Sequence, residues 1–354
     1  MKLKHTTLLL SSLLLLSSCK NETQQEEATK EPKQLEVVGQ FDTRPGNVAV
    51  AKDGRVFTTM HLLGKSKVQL VEVKGTQEFE VFPSMEYQKN GAEASLEKLD
   101  TPLGIRIDEN NVLWIIDIGQ NLGTTRLFAF DIATKEEVYR LDLPEEMAPE
   151  GSFIQDLAVD ESNGWVYLAD FTNPGIIAIH TEDNSVRRFG HPSMNFEDID
   201  MVINEQVVNF GGAPARVAIN PITLSDDRET LYYGAMNGTN WYQIPAKLLR
   251  DGASDEVLSE AIEITGKKPI SDGVATHQGK HYFTNLPDSG IDVLTENGEL
   301  LPVIRDAKID WADNVAIHDG YAYIVVNQLH KTPAFTEGED LGKPPYFIYK
   351  YKLE

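Results

Sequence analysis

The sequence predicts an all-β fold, a six-bladed β-propeller with four antiparallel strands per blade, on three observations. One strand–turn–strand phrase recurs six times along the chain, further strand candidates lie between the copies, and an unpaired strand precedes the first. Self-similarity at this period is the signature of a radial repeat. A solenoid is the structural alternative, but its repeats are usually shorter and its ends need capping.

The phrase is a turn, a short apolar strand, a turn rich in Asp, Asn or Gly, and a second apolar strand. It reads RPGNVAVAKDGRVFTT from Arg44, TPLGIRIDENNVLWIID from Thr101 and FIQDLAVDESNGWVYLAD from Phe153. It continues as ARVAINPITLSDDRETLYYGA from Ala215, SDGVATHQGKHYFTN from Ser271 and ADNVAIHDGYAYIVVN from Ala312. Val48, Ile105, Leu157, Val217, Val274 and Val315 are taken as equivalent, at spacings of 57, 52, 60, 57 and 41 residues. Period-two alternation around Ile105 and Ile107 marks strands, and the Asp-Gly and Asn-Gly links supply the positive φ that tight hairpins need.

Two more strands per unit are legible as 126–132 and 137–143, 175–180 and 185–189, and 291–295 and 300–304. After the sixth hairpin only Tyr346–Lys352 remains, so the sixth blade is expected to be completed by the N-terminal strand Leu35–Phe41, removing two open sheet edges. Residues 190–213 interrupt the rhythm as an insertion, and PAKLLRD, opened by Pro245, reads as a short helix.

The first 18 residues read as a lipoprotein signal peptide: Lys2 and Lys4, an apolar run from Leu8 to Leu16 too short to span a bilayer, then Leu16-Ser17-Ser18-Cys19. That ending resembles a bacterial lipobox, in which the cysteine thiol takes the lipid. An ordinary secretory signal or a retained anchor is the alternative. Cys19 is the one cysteine of the chain and cannot form an internal disulfide, which favours lipidation. Residues 19–34 then form a lipidated cysteine and a polar, flexible tether, and 35–354 the propeller. The expected location is the cell envelope, with an exported chain held at the outer membrane or cell surface by acyl chains in the bilayer.

The formal charge is −23, and losing Lys2 and Lys4 takes it to −25. Nucleic acid binding runs on Lys and Arg against phosphate, so that class is excluded. A monomer with a small-molecule partner is expected. HExxH, CxxC, Walker, GxSxG and EF-hand motifs are absent.

Geometry supplies the candidate site. In an antiparallel blade the start of the first strand and the end of the second share one rim, so residues at those positions surround the mouth of the central channel. The strand-start set holds Asn47, Gln155, Asp156, Arg216, Asp272, Asp313 and Asn314; the strand-end set holds Asp117, Asp170, Asn237, Asn285 and Asn327. Any one of these can simply cap a turn. Together they describe a concave polar site, with Phe171, Phe210, Trp241, Tyr242 and Trp311 nearby in sequence. An aromatic face beside carboxylates suits a cation or amine.

These residues resemble the major royal jelly/yellow protein family. The resemblance is carried by 101–119, 154–171, 231–251, SDGVATHQGKHYFTN and WADNVAIHDGYAYIVVNQLHK. It implies a secreted six-bladed propeller that binds a small aromatic amine in the central mouth. A wider resemblance runs to the senescence-marker/gluconolactonase propellers, which hold a divalent metal with a Glu, two Asn and an Asp at strand starts and use the Asp as base. Only Asp272 matches that set; the Glu position falls near Gly46, and the Asn positions near Leu103 and Ala215 or Gln155. A divalent cation in the channel is therefore the one cofactor to test. Two function classes follow: a tethered propeller that binds a small amine or aromatic ligand, or a hydrolase, lactonase or isomerase with Asp272 as base.

Overall fold

A computed structural model describes residues 34–89 and 93–354. The signal peptide, Cys19 and the tether as far as residue 33 lie outside the described residues. Six four-stranded antiparallel sheets follow one another, the first five running from an inner strand outwards in chain order and the sixth taking its outermost strand from before the first. The inner strands are Pro45–Val50, Pro102–Ile107, Ile154–Asp160, Ile219–Leu224, Val274–His277 and Ala312–His318. They pack against one another around the central channel, while the apolar faces of adjacent blades form the core between sheets.

The sixth sheet closes as expected. Its outermost strand is Glu36–Phe41, antiparallel to Tyr346–Lys352 with Phe41 opposite Tyr346. Phe41 also stacks on Phe79 of the first blade at 4.4 Å between ring centroids. The two ends of the propeller sequence thus share the sixth sheet, which closes the circle.

One register recurs in all six hairpins. One residue past the buried apolar position, the inner strand carries Ala49, Arg106, Ala158, Thr223, Ala275 or Ala316. The residue opposite is always aromatic: Phe57, Trp114, Tyr167, Tyr232, Tyr282 and Tyr323 in turn. A large side chain on the second strand faces a mostly small one on the inner strand, which keeps the blade filled as it narrows toward the axis. Inner strands approach so closely that two positions require glycine: a Cβ on Gly104 would lie 2.0 Å from the Gln155 carbonyl oxygen, and one on Gly273 2.7 Å from Asn314 Cα.

The fourth blade departs from the sequence reading. Its inner strand is Ile219–Leu224, with Ile222 opposite Tyr233, so Ile222 and not Val217 is the equivalent apolar position. Val217 lies earlier, where its N–H donates to Asn237 Oδ1 and its carbonyl accepts from Asn237 N. The run A-R-V-A-I alternates as a strand should, and nothing local distinguishes it from I-T-L five residues later. The expected helix is present as Ala246–Arg250, followed by a second, Asp255–Glu260, capped by Ser254 Oγ accepting from Val257 N.

Candidate functional site

The start of each inner strand brings one residue to a common level on the axis. Aligned by strand pairing, the six are Gly46, Leu103, Gln155, Asn220, Asp272 and Asp313. Four are polar, come from blades three to six, and are buried. Asp272 is their hub. Its Oδ1 accepts from Asn220 Nδ2 at 2.7 Å and Gln155 Nε2 at 3.0 Å, and its Oδ2 accepts from Trp311 Nε1 at 2.8 Å. Asp313 accepts from Asn327 Nδ2 at 2.7 Å, and Asn327 also donates to the Pro45 carbonyl, spanning the join between the sixth and first blades.

Burial dominates the electrostatics. It pushes Asp272 up to about 7, with the charge of Asp156 adding to the rise and the three N–H donors opposing it. Asp313 is raised well above the usual carboxylate range by burial and then by Asp272 and Asp156. Asp156 is pushed up to about 6 by burial, with Arg106 holding it down. Three carboxylates from blades three, five and six thus resist ionising together. Asn220 Oδ1, Asp313 Oδ1 and Asn327 Oδ1 are buried acceptors with no partner among the described residues.

The other residues expected at the mouth are placed elsewhere. Asp117 accepts from the backbone N–H groups of Asp100 and Thr101 and pairs with Arg126 of its own blade at 2.5 Å. Asp170 accepts from Phe153 N and from Arg188 of its outer strand at 3.1 Å. Asn285 donates to Asp292, itself paired with Arg305 of the outer strand. In these three blades an arginine from farther out in the sheet draws the strand-end polar group away from the axis and into an intrablade clamp. Arg216 pairs with Asp198 and Asp200 of the insertion, and Asn237 closes the Val217 turn and reaches the Ile199 carbonyl. Both sit off the axial level because the fourth inner strand begins later than expected. Asn47 and Asn314 are buried beside it, each accepting from the N–H of the next residue through its own Oδ1.

The rim at the strand starts is covered. Met201, Ile203, Val208 and Ala215 of the 190–217 segment pack with Met236, Ile270, Leu286, Trp311 and Leu329 from rim loops of blades four to six. Phe335 and Leu63 join the edge of this apolar cap. Water is thereby kept from the carboxylates, which is why their values rise so far. The channel's opening lies at the opposite end, in a cavity of about 360 Å³ among the far ends of the inner strands.

A divalent cation does not fit this arrangement. Both oxygens of Asp272, the one side chain matching the metal pattern, already accept N–H groups, and Gly46 and Leu103 bring no donor. The three unpartnered oxygens fall short of the six or so that hard divalent ions gather. Among the described residues no three His, Cys, Asp or Glu side chains group as a metal site.

Asn220 was missed in the sequence because the fourth inner strand was set too early; Asn220-Pro221 in a bulge was the available signal. The tie of Trp311 to Asp272 had none. Nor did Lys268, a buried amine pushed down to about 7 by burial, which donates to the Pro269 carbonyl.

Comparison with known proteins agrees with this architecture. Major royal jelly protein 1 of Apis mellifera is 24% identical over 264 residues, covering 64% of this chain and 60% of that protein. Protein yellow of Drosophila melanogaster is 27% identical over 193 residues, 50% of this chain and 36% of its own length. The aligned part therefore spans less than two thirds of either relative. Among solved structures, a gluconolactonase from Xanthomonas campestris superposes with TM-score 0.56 at 14% identity, covering 91% of this chain and 90% of that one. A virginiamycin B lyase from Staphylococcus aureus superposes with TM-score 0.54 at 15% identity over 91% and 100%. At such identities these two share the fold alone. The family profile described as Major royal jelly protein matches residues 101–336, and the chain belongs to that family.

Proposed function

We propose that this propeller is an exported, lipid-anchored binding protein that captures a small amine in its central channel. The observation that carries the reading is the buried set of Asp156, Asp272 and Asp313 beside three acceptor oxygens that lack a donor among the described residues. An ammonium brings three N–H donors and a positive charge, which answers both deficits. Aromatic surface is at hand in Trp311, stacked on His330 at 5.7 Å. In the water-poor channel the attraction is stronger than at an exposed acidic patch.

The test is a thermal-shift and calorimetric titration with phenethylamine and tyramine, on the wild type and on Asp272→Asn. Saturable stabilisation of the wild type, weakened tenfold or more in the variant, supports the reading; equal binding by both proteins refutes it. Anchoring is tested separately. Cys19→Ser is expected to abolish incorporation of labelled fatty acid, and continued labelling would exclude lipidation at that thiol.

A second reading, a hydrolase or isomerase, is favoured by one observation: Asp272, pushed up to about 7, is poised to exchange a proton near neutral pH. Turnover of simple aldonolactones by the wild type, absent in Asp272→Asn, would support it over capture alone.

A further inference from the structure

We propose that the open end of the channel is a second binding site, for a small amphipathic monocarboxylate, with the Arg106 guanidinium as its anchor. The site lies at the opposite end of the channel from the apolar cap, in the cavity of about 360 Å³ at the far ends of the inner strands, and meets the carboxylate set only where Arg106 reaches Asp156. That is the size of a pocket for a compact organic molecule.

The argument starts from the register. At one level five blades present Ala49, Ala158, Thr223, Ala275 and Ala316, and only the second presents a long side chain, Arg106. Small residues leave room on the axis, and one guanidinium reaches into it. Above this level Val50, Ile107, Val159, Leu224 and Ile317 line the wall, an apolar collar for the body of a ligand.

Arg106 is under-used as it stands. Arg44, Arg55 and Arg140 each grip a carboxylate through two nitrogens. Arg106 reaches Asp156 Oδ1 and the Leu157 carbonyl through Nη2 alone, at 3.4 Å each, and its Nε and Nη1 have no partner among the described residues. A planar fork with free donors facing a cavity matches a carboxylate in the two-point mode.

The rim sets the rest of the ligand. Glu109, Glu161, Asp226 and Asp319 outnumber Lys52 and Arg228 there, and Arg228 is already held by Glu161 at 3.2 Å. A second negative charge would meet repulsion, so a dicarboxylate or phosphate is disfavoured. His277 and His318, from adjacent blades, offer polar contacts to a hydroxyl or amino group at the outer end.

Calorimetric titration of the full-length protein with phenylacetate tests this, with succinate and phenethylamine as comparison probes. The expected result is saturable one-to-one binding of phenylacetate, with succinate at least tenfold weaker. Arg106→Gln should weaken phenylacetate tenfold or more. Ala316→Leu, which keeps the guanidinium but narrows the cavity, should weaken it similarly, so the proposal stays testable if Arg106→Gln fails to fold. Asp272→Asn should leave phenylacetate binding intact, which separates this site from the amine site. No saturable phenylacetate binding would overturn the proposal. So would binding that survives both cavity variants, or that is lost in Asp272→Asn.

Discussion

Trp311 Nε1 donates to Asp272 Oδ2 at 2.8 Å, and it does so from a left-handed backbone with φ of 62°. A bulky residue in that region carries backbone strain, and strain persists where surrounding structure over-determines it. Here the indole is buried between the apolar cap and the channel, and it ties the start of the sixth blade to the hub of the fifth. Its N–H favours the charged form of Asp272 against burial, which drives the other way.

Trp311→Phe should therefore raise Asp272 further. A hydrogen bond to a charged group contributes about 1.5–3 kcal/mol, which corresponds to a rise of about one to two on the pH scale. Carboxyl carbon shifts in aspartate-labelled protein would follow the titration. A midpoint identical to that of the wild type would show that the indole is packing only.

The contribution of the three channel carboxylates to stability should fall as pH rises from about 4 to 8, against the buried His61, His281, His330 and Lys268, whose lowered values act the other way. Asp156, Asp272 and Asp313 hold protons more tightly folded than unfolded, so their contribution is full below the ordinary aspartate range and is lost as pH climbs through about 6 and 7. In Asp272→Asn the amide cannot ionise; its oxygen can accept from Trp311 and its nitrogen donate to a flipped Gln155, while Asn220 keeps its bond to the carbonyl of residue 272. A tenfold change in proton affinity is worth about 1.4 kcal/mol, so the variant should be more stable than the wild type by about 2–4 kcal/mol at pH 8 and nearly equal at pH 4. Urea denaturation at both values checks this; parallel curves would contradict it.

Removing the cation from an intrablade clamp should damage the fold and spare the channel. Arg126→Leu strands the buried Asp117 carboxylate, at an expected cost of about 3–5 kcal/mol. Binding of phenethylamine by the remaining folded protein should be unchanged. Loss of amine affinity out of proportion to lost stability would return Asp117 to the ligand site.

Deleting residues through Phe41 should cost several kcal/mol, because it bares the edge of Tyr346–Lys352 and removes the Phe41–Phe79 stack. Deleting only residues 20–33 should leave the urea midpoint where it was. Full stability in a chain lacking Glu36–Phe41 would mean that the sixth blade does not need its fourth strand.

The architecture was legible because a propeller repeats its local chemistry. Each copy carries an alternating inner strand, a hairpin turn and an aromatic on the second strand, such as Trp114 or Tyr323, and the leftover strands at the two ends of the propeller sequence could pair only with each other's sheet. Local periodicity and turn chemistry act over a few residues, so the sequence by itself determined blade number, closure and the axial positions of Gln155, Asp272 and Asp313. It did not determine the start of the fourth inner strand, since A-R-V-A-I and I-T-L alternate alike and the choice rests on pairing with Tyr233. Nor did it separate Asp117 and Asp170 from the axial carboxylates, because an Asp at a strand end looks the same whether an arginine such as Arg126 or Arg188 claims it or a channel does. Which end of the channel is capped and which is open was likewise a tertiary outcome: it depends on where the 190–217 segment packs, an apolar contact among residues distant in sequence.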